Sequence, residues 1–371
     1  MADAVASGTA TIAGFAHEAP TQTGWPSAVA AQVRARLPLL SAEIDPGVTQ
    51  TAVVTRAQTL GASGLDLLTR TPSVRVSLRL RYEGAEAFLA SALGYMPASR
   101  PTALGSGVYE HLYELSADLA SEAWPASDAQ PPTVKLHRRG TFAAWRQVSV
   151  WELVSGMVQS LTLGSDGTLV TLDVTLLAAT LQQPSTVNTV PVLQALPPLT
   201  APLVSIHHGV CLIGPASPTT ALGPANAVCS RSLAVTLENN LAPTFGPRTA
   251  LAPEEYTRTA LPTLTLTFEL PRYDSDLWLS RWGSQALLMG DLRWTGPAIG
   301  SSGQQYQVRW SFPALRLTDV RPSAIAVGLA SVQHTLQAEV PTQAAAGLPT
   351  LTQPGPVGVT LVNRVAQHPL L

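Results

Sequence analysis

The residues able to do chemistry are few and poorly placed for it. His207-His208 is the one adjacent histidine pair in the 371-residue chain. Neighbours in a strand point to opposite faces, so the two rings could share a metal only across a bend, and an exposed pair at a strand end is the simpler reading. Asp274-x-Asp276 has the spacing of a cation site or an acid/base pair. Its position ahead of an apolar helical stripe fits helix capping instead. Ser, His and Asp all occur, yet no Gly-x-Ser-x-Gly elbow frames a nucleophile. A phosphate-cradling loop would end in a lysine, and the single lysine lies in Thr133-Val134-Lys135-Leu136. Lys135, His137, Arg138 and Arg139 form the densest positive spot, which suits a solvated loop or an intersubunit salt bridge. A nucleic-acid clamp needs more cations and interleaved aromatics. Cys211 and Cys229 lack metal-ligand spacing and read as core residues. Trp278 and Trp282 are spaced for an apolar helix stripe, and Trp310 falls on the apolar side of a strand, so none offers a stacking platform for sugars or bases. No catalytic, cofactor-binding or metal-binding residue is assigned, and no cofactor is expected.

The elements that would position such residues are mostly strands. Val74, Val76, Leu78, Leu80 and Tyr82 share one face and Arg75, Ser77, Arg79 and Arg81 the other, the pattern of a strand with one wet side. A helix over Glu83–Gly94 follows, with Phe88, Leu89, Ala92 and Leu93 as its stripe, acidic Glu83 and Glu86 at its start and Gly94 as its stop. The same unit recurs: Leu264, Leu266, Phe268 and Leu270 alternate with polar residues. A helix then opens at Asp274 and Asp276, shows Leu277, Trp278 and Trp282, and ends at Gly283. The copies lie about 190 residues apart, the spacing of a duplicated domain. A hairpin joins Val158–Leu163 to Thr168–Leu176 through Gly164-Ser165-Asp166-Gly167, with Val170, Leu172, Val174 and Leu176 inward. Leu233, Val235 and Leu237 alternate before Asn239-Asn240, and Tyr306, Val308, Trp310 and Phe312 before Pro313. The Pro-rich run 191–203 reads as a stiff, extended linker between a domain over 1–190 and another over 204–371. Met96–Arg139 and Gly214–Asn226 show no periodicity and read as long loops, candidate reaching arms.

Composition narrows the class. The chain is 46 % apolar and only 12 % charged, about half the charge of an average domain. Twenty-two basic against 24 acidic residues give a net charge of −2, which removes any broad electrostatic footprint for nucleic acid. Two cysteines are too few for a disulfide framework and fit a reducing cytoplasm. The N-terminus has no basic stretch before an apolar block, so a secretory signal is not expected. Val190–Val204 is too short and too interrupted by proline to span a membrane. Low charge without a membrane segment points to apolar surface covered by other protein chains.

Three segments carry a family resemblance: Ser73–Gly84 with the helix that follows, Val154–Leu163 with its hairpin, and Ser232–Leu241. Together they resemble the tail tube proteins of long-tailed bacteriophages, in a two-domain version. The resemblance implies a mainly β fold of two tandem β-sandwich or barrel-like domains, each with a short flanking helix. It further implies a structural virion protein with no enzymatic activity, located in the tail and assembled in the host cytoplasm. Its sheets would join across subunits into a ring, and stacked rings would form a tube through which double-stranded DNA passes. One-domain members form hexameric rings. Two domains per chain therefore imply a trimeric ring with pseudo-sixfold symmetry, six whole chains being the competing arrangement. Tape measure, baseplate and terminator proteins are the implied partners besides the chain itself, and no membrane is involved. Physical reasoning agrees, because open strand edges invite pairing and a head-to-tail contact closes a ring when its rotation permits. A lumen without cation clusters lets a polyanion slide. Outward residues such as Asp173, Glu238 or Glu269 are candidates for lining it. Two rival readings share the strand pattern. A receptor- or carbohydrate-binding β-sandwich would present exposed aromatics, and a hydrolase on a β scaffold would need a convergent histidine and carboxylate.

Overall fold

A computed structural model describes residues 12–18, 30–53, 64–97, 99–105, 107–115, 139–146, 148–165, 167–245, 253, 255–272, 275–322, 331–351 and 355–366 of the protein. Alternation at period two becomes strand along most of that length. The first half contains β1 (Ile12–His17), β2 (Leu39–Asp45), β3 (Val48–Val53), β4 (Gly64–Arg70), β5 (Ser73–Arg79), α1 (Glu86–Leu93), β6 (Gly94–Tyr95), β7 (Thr102–Gly105), β8 (Val108–Leu115), β9 (Gly140–Arg146), β10 (Ser149–Ser165), β11 (Val170–Leu177), β12 (Thr180–Gln182) and α2 (Val190–Gln194). The second contains β13 (Gly209–Pro215), β14 (Ser232–Glu238), β15 (Leu241–Thr244), β16 (Glu255–Arg258), β17 (Thr263–Leu270), α3 (Leu277–Gly283), β18 (Leu287–Ala298), β19 (Gln305–Pro322), β20 (Val332–Ala338) and β21 (Gly358–Asn363). The molecule is mainly β, built on large antiparallel sheets.

The alternating residues are buried as their spacing requires: Val74, Val76 and Leu78 in β5, and Leu264, Leu266 and Phe268 in β17. α1 stops where the sequence says it should. Gly94 takes the left-handed backbone at φ 80° and its N–H returns to the Ala90 carbonyl, a conformation that a Cβ disfavours. The Glu86 carboxylate accepts the Gly84 N–H at 2.6 Å at the other end.

The order of strand neighbours repeats. β10 pairs first with β9 and β12, then with β11 and β14. β19 pairs first with β18 and β21, then with β20. Around these two long strands β1 on β9 matches β13 on β18, β2 on β5 matches β14 on β17, and β5 on β11 matches β17 on β20. Register repeats as well. Val76 lies opposite Ala42 and Val174, and Leu266 opposite Val235 and Leu336. Even the turns agree: Gly47 after β2 and Asn240 after β14 both have left-handed backbone, at φ 60° and 51°.

Four expectations need correction. Residues 191–203 are not an extended linker: Pro191 sits in the first turn of α2, where its missing N–H costs nothing, and Leu193, Leu196 and Ala201 are buried. The Val204 N–H bonds to Leu80 and its carbonyl accepts from Val170, so this segment is stitched into the first half. Within Met96–Arg139, β7 and β8 are strands, and β8 pairs with β21 of the second half; residues 98, 106 and 116–138 of that stretch lie outside the described residues. The two halves thus share one continuous apolar core. Finally, β19 runs through Pro313 rather than stopping before it. The ladder shifts register between Leu288 and Gly290 opposite, where a residue without an N–H is tolerated.

Candidate functional site

Strand pairing carries one polar face across eight strands, in the order β2, β5, β11, β10, β14, β17, β20, β19. Asp173 stands opposite Ser77 and Thr162, Thr162 opposite Thr236, and Thr236 opposite Thr265. Glu238 and Glu269 lie two and four positions along from that row, at even spacing, so all three acids singled out in the sequence share this face. The rest of it is rich in serine and threonine. Glu43, Asp45, Asp173, Glu238, Glu269 and Asp319 outnumber Arg75, Arg79, Arg316 and Arg321 there. The opposite face of the same strands carries the core residues Val76, Val174, Leu161, Leu237, Leu266 and Leu336.

The two halves meet in the middle of that sheet. Ser160, Leu161, Thr162 and Leu163 of β10 lie opposite Glu238, Leu237, Thr236 and Val235 of β14, and the Thr162 and Thr236 hydroxyls are 3.4 Å apart. Asn239 closes this seam from a buried position. Its side-chain amide donates to the carbonyls of Ala92 at the end of α1 and Val158 in β10, at 3.1 and 2.9 Å. Its Oδ1 accepts from Arg258 at 2.9 Å and its N–H goes to the Gln159 carbonyl. Gln159 reciprocates by accepting the Leu241 N–H, and the Tyr256 hydroxyl reaches the Ala178 carbonyl. The chain's last strand is tied to the first half too: Asn363 donates to the Tyr82 carbonyl and, at 2.7 Å, to Glu86. Burial pushes the Glu86 carboxyl up to about 7 against the lowering effect of these hydrogen bonds.

A second polar device bends β10. Ser155 has φ 54°, costly for a residue with a Cβ. Its backbone N–H and hydroxyl both donate to buried Glu18, which also accepts from Thr141. This kink falls where the β9 ladder shifts register, just before β10 passes to its second set of partners.

The sheet ends in two borders. Among the described residues β2 pairs only with β5, and the last part of β19, from Asp319, pairs only with β20. Glu43 and Asp45 are exposed along the first border, Thr318 and Arg321 along the second.

The remaining sequence candidates are dispersed. His207 and His208 are exposed on a single 3-10 turn that runs directly into the start of β13. Asp276 occupies the N-cap position of α3 without a side-chain cap bond; the Ser275 hydroxyl accepts the Leu277 N–H instead. Trp278 is buried and Trp310 fully so, but Trp282 is 39 % exposed. Cys211 is half-buried and packed against the core, whereas Cys229 is exposed, contrary to a core reading; both line one cavity of about 240 Å³ beside β13 and β14. Burial pushes the Cys211 thiol up to about 12. Asp274, Lys135, His137 and Arg138 lie outside the described residues. Asn239 and the Glu18–Ser155 pair were missed; an Asn-Asn pair directly after an alternating run was the available signal for the first. No described helix is long and apolar enough to cross a membrane.

The described residues thus form a sheet-built molecule with a repeated strand order and a polar, slightly acidic face. The chain matches the model of the phage tail tube protein family over residues 8–361 and belongs to that family. It is a structural tail protein of a bacteriophage virion. No curated protein matches it.

Proposed function

We propose that the chain is the tube-forming subunit: each half acts as one tail-tube domain, three chains supply six of them to a closed ring, and stacked rings conduct double-stranded DNA. The observation that carries this reading is the continuation of one sheet from the first half into the second through β10 and β14, ending in two borders that are unpaired among the described residues. A contact that already joins like to like head to tail can be repeated until it closes. The Thr-rich face with its slight acidic excess suits a lumen, since each phosphate neutralised by Arg would add affinity and slow the DNA. Tape measure, baseplate and terminator proteins would meet the ends of such a tube, whose subunits would assemble in the host cytoplasm.

Negative-stain images of the purified protein at high concentration test the assembly. Stacked rings or hollow tubes are expected, whereas discrete particles at every concentration would overturn it in favour of a virion binding module. Retention of duplex DNA by assembled tubes at low salt tests the lumen: weak retention is expected, and tight binding would count against a neutral to acidic channel.

A further inference from the structure

We infer that Cys211 and Cys229 are a modification site: in an oxidising medium they form an intrachain disulfide that clamps the arm over residues 216–226 back onto β13. The inference concerns a single chain and stands apart from the ring reading. Both thiols are free in the structure. The arm leaves the end of β13, where the Ala216 N–H bonds to the Leu287 carbonyl at 3.0 Å, and comes back through an isolated antiparallel bridge between Ala227 and Leu212. Beside that bridge the Val228 N–H donates to the Cys211 carbonyl at 2.8 Å. This register sets Val228 opposite Cys211, with Cys229 one residue further on. Opposed residues at a hydrogen-bonded position hold their Cα atoms ~5.5 Å apart and the next residue advances ~3.4 Å along the strand, so the two cysteine Cα atoms lie about 6.5 Å apart, within the ~4.4–6.8 Å that a disulfide spans.

Orientation agrees with distance. In a continuing strand Cys229 would point away from Cys211, but the pairing stops at Ala227 and residues 228–230 are irregular. Cys211, Val228 and Cys229 line the same cavity of about 240 Å³, together with Leu163 and Trp294. The two sulfurs sense each other: burial first, then the charges of Asp291 and Cys229, push the Cys211 thiol up. Cys229 also lines a second cavity, of about 320 Å³, beside Trp278 and Arg281 of α3, so its side chain has room to swing. Being exposed, Cys229 is the point of entry. Its thiolate attacks a low-molecular-weight disulfide, which leaves a mixed disulfide and releases one small thiol; Cys211 then gives up its proton and attacks the Cys229 sulfur, releasing the second. Two protein thiols lose two electrons and two protons, and one small disulfide becomes two small thiols. The new bond closes a loop that contains the whole arm and ties β13 to the segment entering β14.

The chain has two cysteines, so counting thiols reads the site directly. Full-length wild-type protein incubated with excess oxidised glutathione is expected to lose both free thiols, to run as a single chain on a non-reducing denaturing gel and to yield a linked Cys211–Cys229 peptide in mass spectrometry. Cleavage after Leu222 in the arm should leave two fragments that stay joined until a reductant is added. The order of the two steps is read from single variants: Cys211→Ser should stop at a mixed disulfide on Cys229, and Cys229→Ser should leave Cys211 unmodified. Wild-type protein that keeps two free thiols, that stops at the mixed disulfide, or that links one chain to another through Cys229 would each overturn the clamp.

Discussion

Leu241 and Val48 hold the same place in the repeat, yet one is covered and the other half bare. The contrast extends to their surroundings. Around Leu241 the second half presses on the first, and Asn239 ties α1, β10 and β16 together from the turn that follows β14. At the outer borders the corresponding turn is Pro46-Gly47, with no side chain able to do the same. The difference teaches that the internal seam is part of the fold, whereas the borders owe the chain's own stability little.

That contrast can be broken by substitution, and the largest effect belongs at the internal seam. Leu161→Ala removes a fully buried side chain between the halves and should cost about 2–5 kcal/mol in denaturant unfolding of dissociated protein. Asn239→Leu keeps the volume but leaves the Ala92 and Val158 carbonyls without its amide and removes one hydrogen bond of Arg258, and should cost about 3 kcal/mol by the same measurement. If either variant unfolds like wild type, the seam is not integral to the fold.

Titration sharpens the comparison of the two helix regions. Glu86 in the first turn of α1 binds its proton more tightly folded than unfolded, so its contribution is complete below the ordinary carboxylate range and is lost as pH rises through about 7. Stability should therefore fall between pH 5 and pH 8 by an amount on the order of 3 kcal/mol, and Glu86→Gln should flatten that slope. In the other half His334 is stacked on Phe268 and close to Trp278, and burial lowers it to about 4. Its contribution runs the opposite way, present above the ordinary histidine range and lost as pH falls toward 4, so His334→Leu should flatten the acid side of the profile. The smallest effect on folding belongs to the border: Val48→Asp should change unfolding by less than about 0.5 kcal/mol yet abolish assembly in sedimentation. A large loss of monomer stability there would erase the distinction between seam and border.

How much was legible depended on exposure of one face. β5, β11 and β17 declared themselves because water on one side enforces alternation. β8 did not, since His111, Leu112, Tyr113, Glu114 and Leu115 are buried in succession between β21 on one side and β6 and β7 on the other. The full length of β10 was hidden because its kink at Ser155 interrupts the period. Asp173, Glu238 and Glu269 could be read as outward residues one strand at a time. That they share one surface required the register of three intervening pairings.

The sequence by itself determined the strand character of the chain and the position and stop of α1. Side-chain periodicity and backbone preference are local properties, readable within a few residues. Only the tertiary structure decided that Leu161 meets Leu237, that β8 crosses to the second half, and which two borders are unpaired among the described residues. Alternation says which face of a strand is buried, but the backbone groups that choose a neighbour are the same in every residue except proline, so partners far apart in the chain are selected by packing alone.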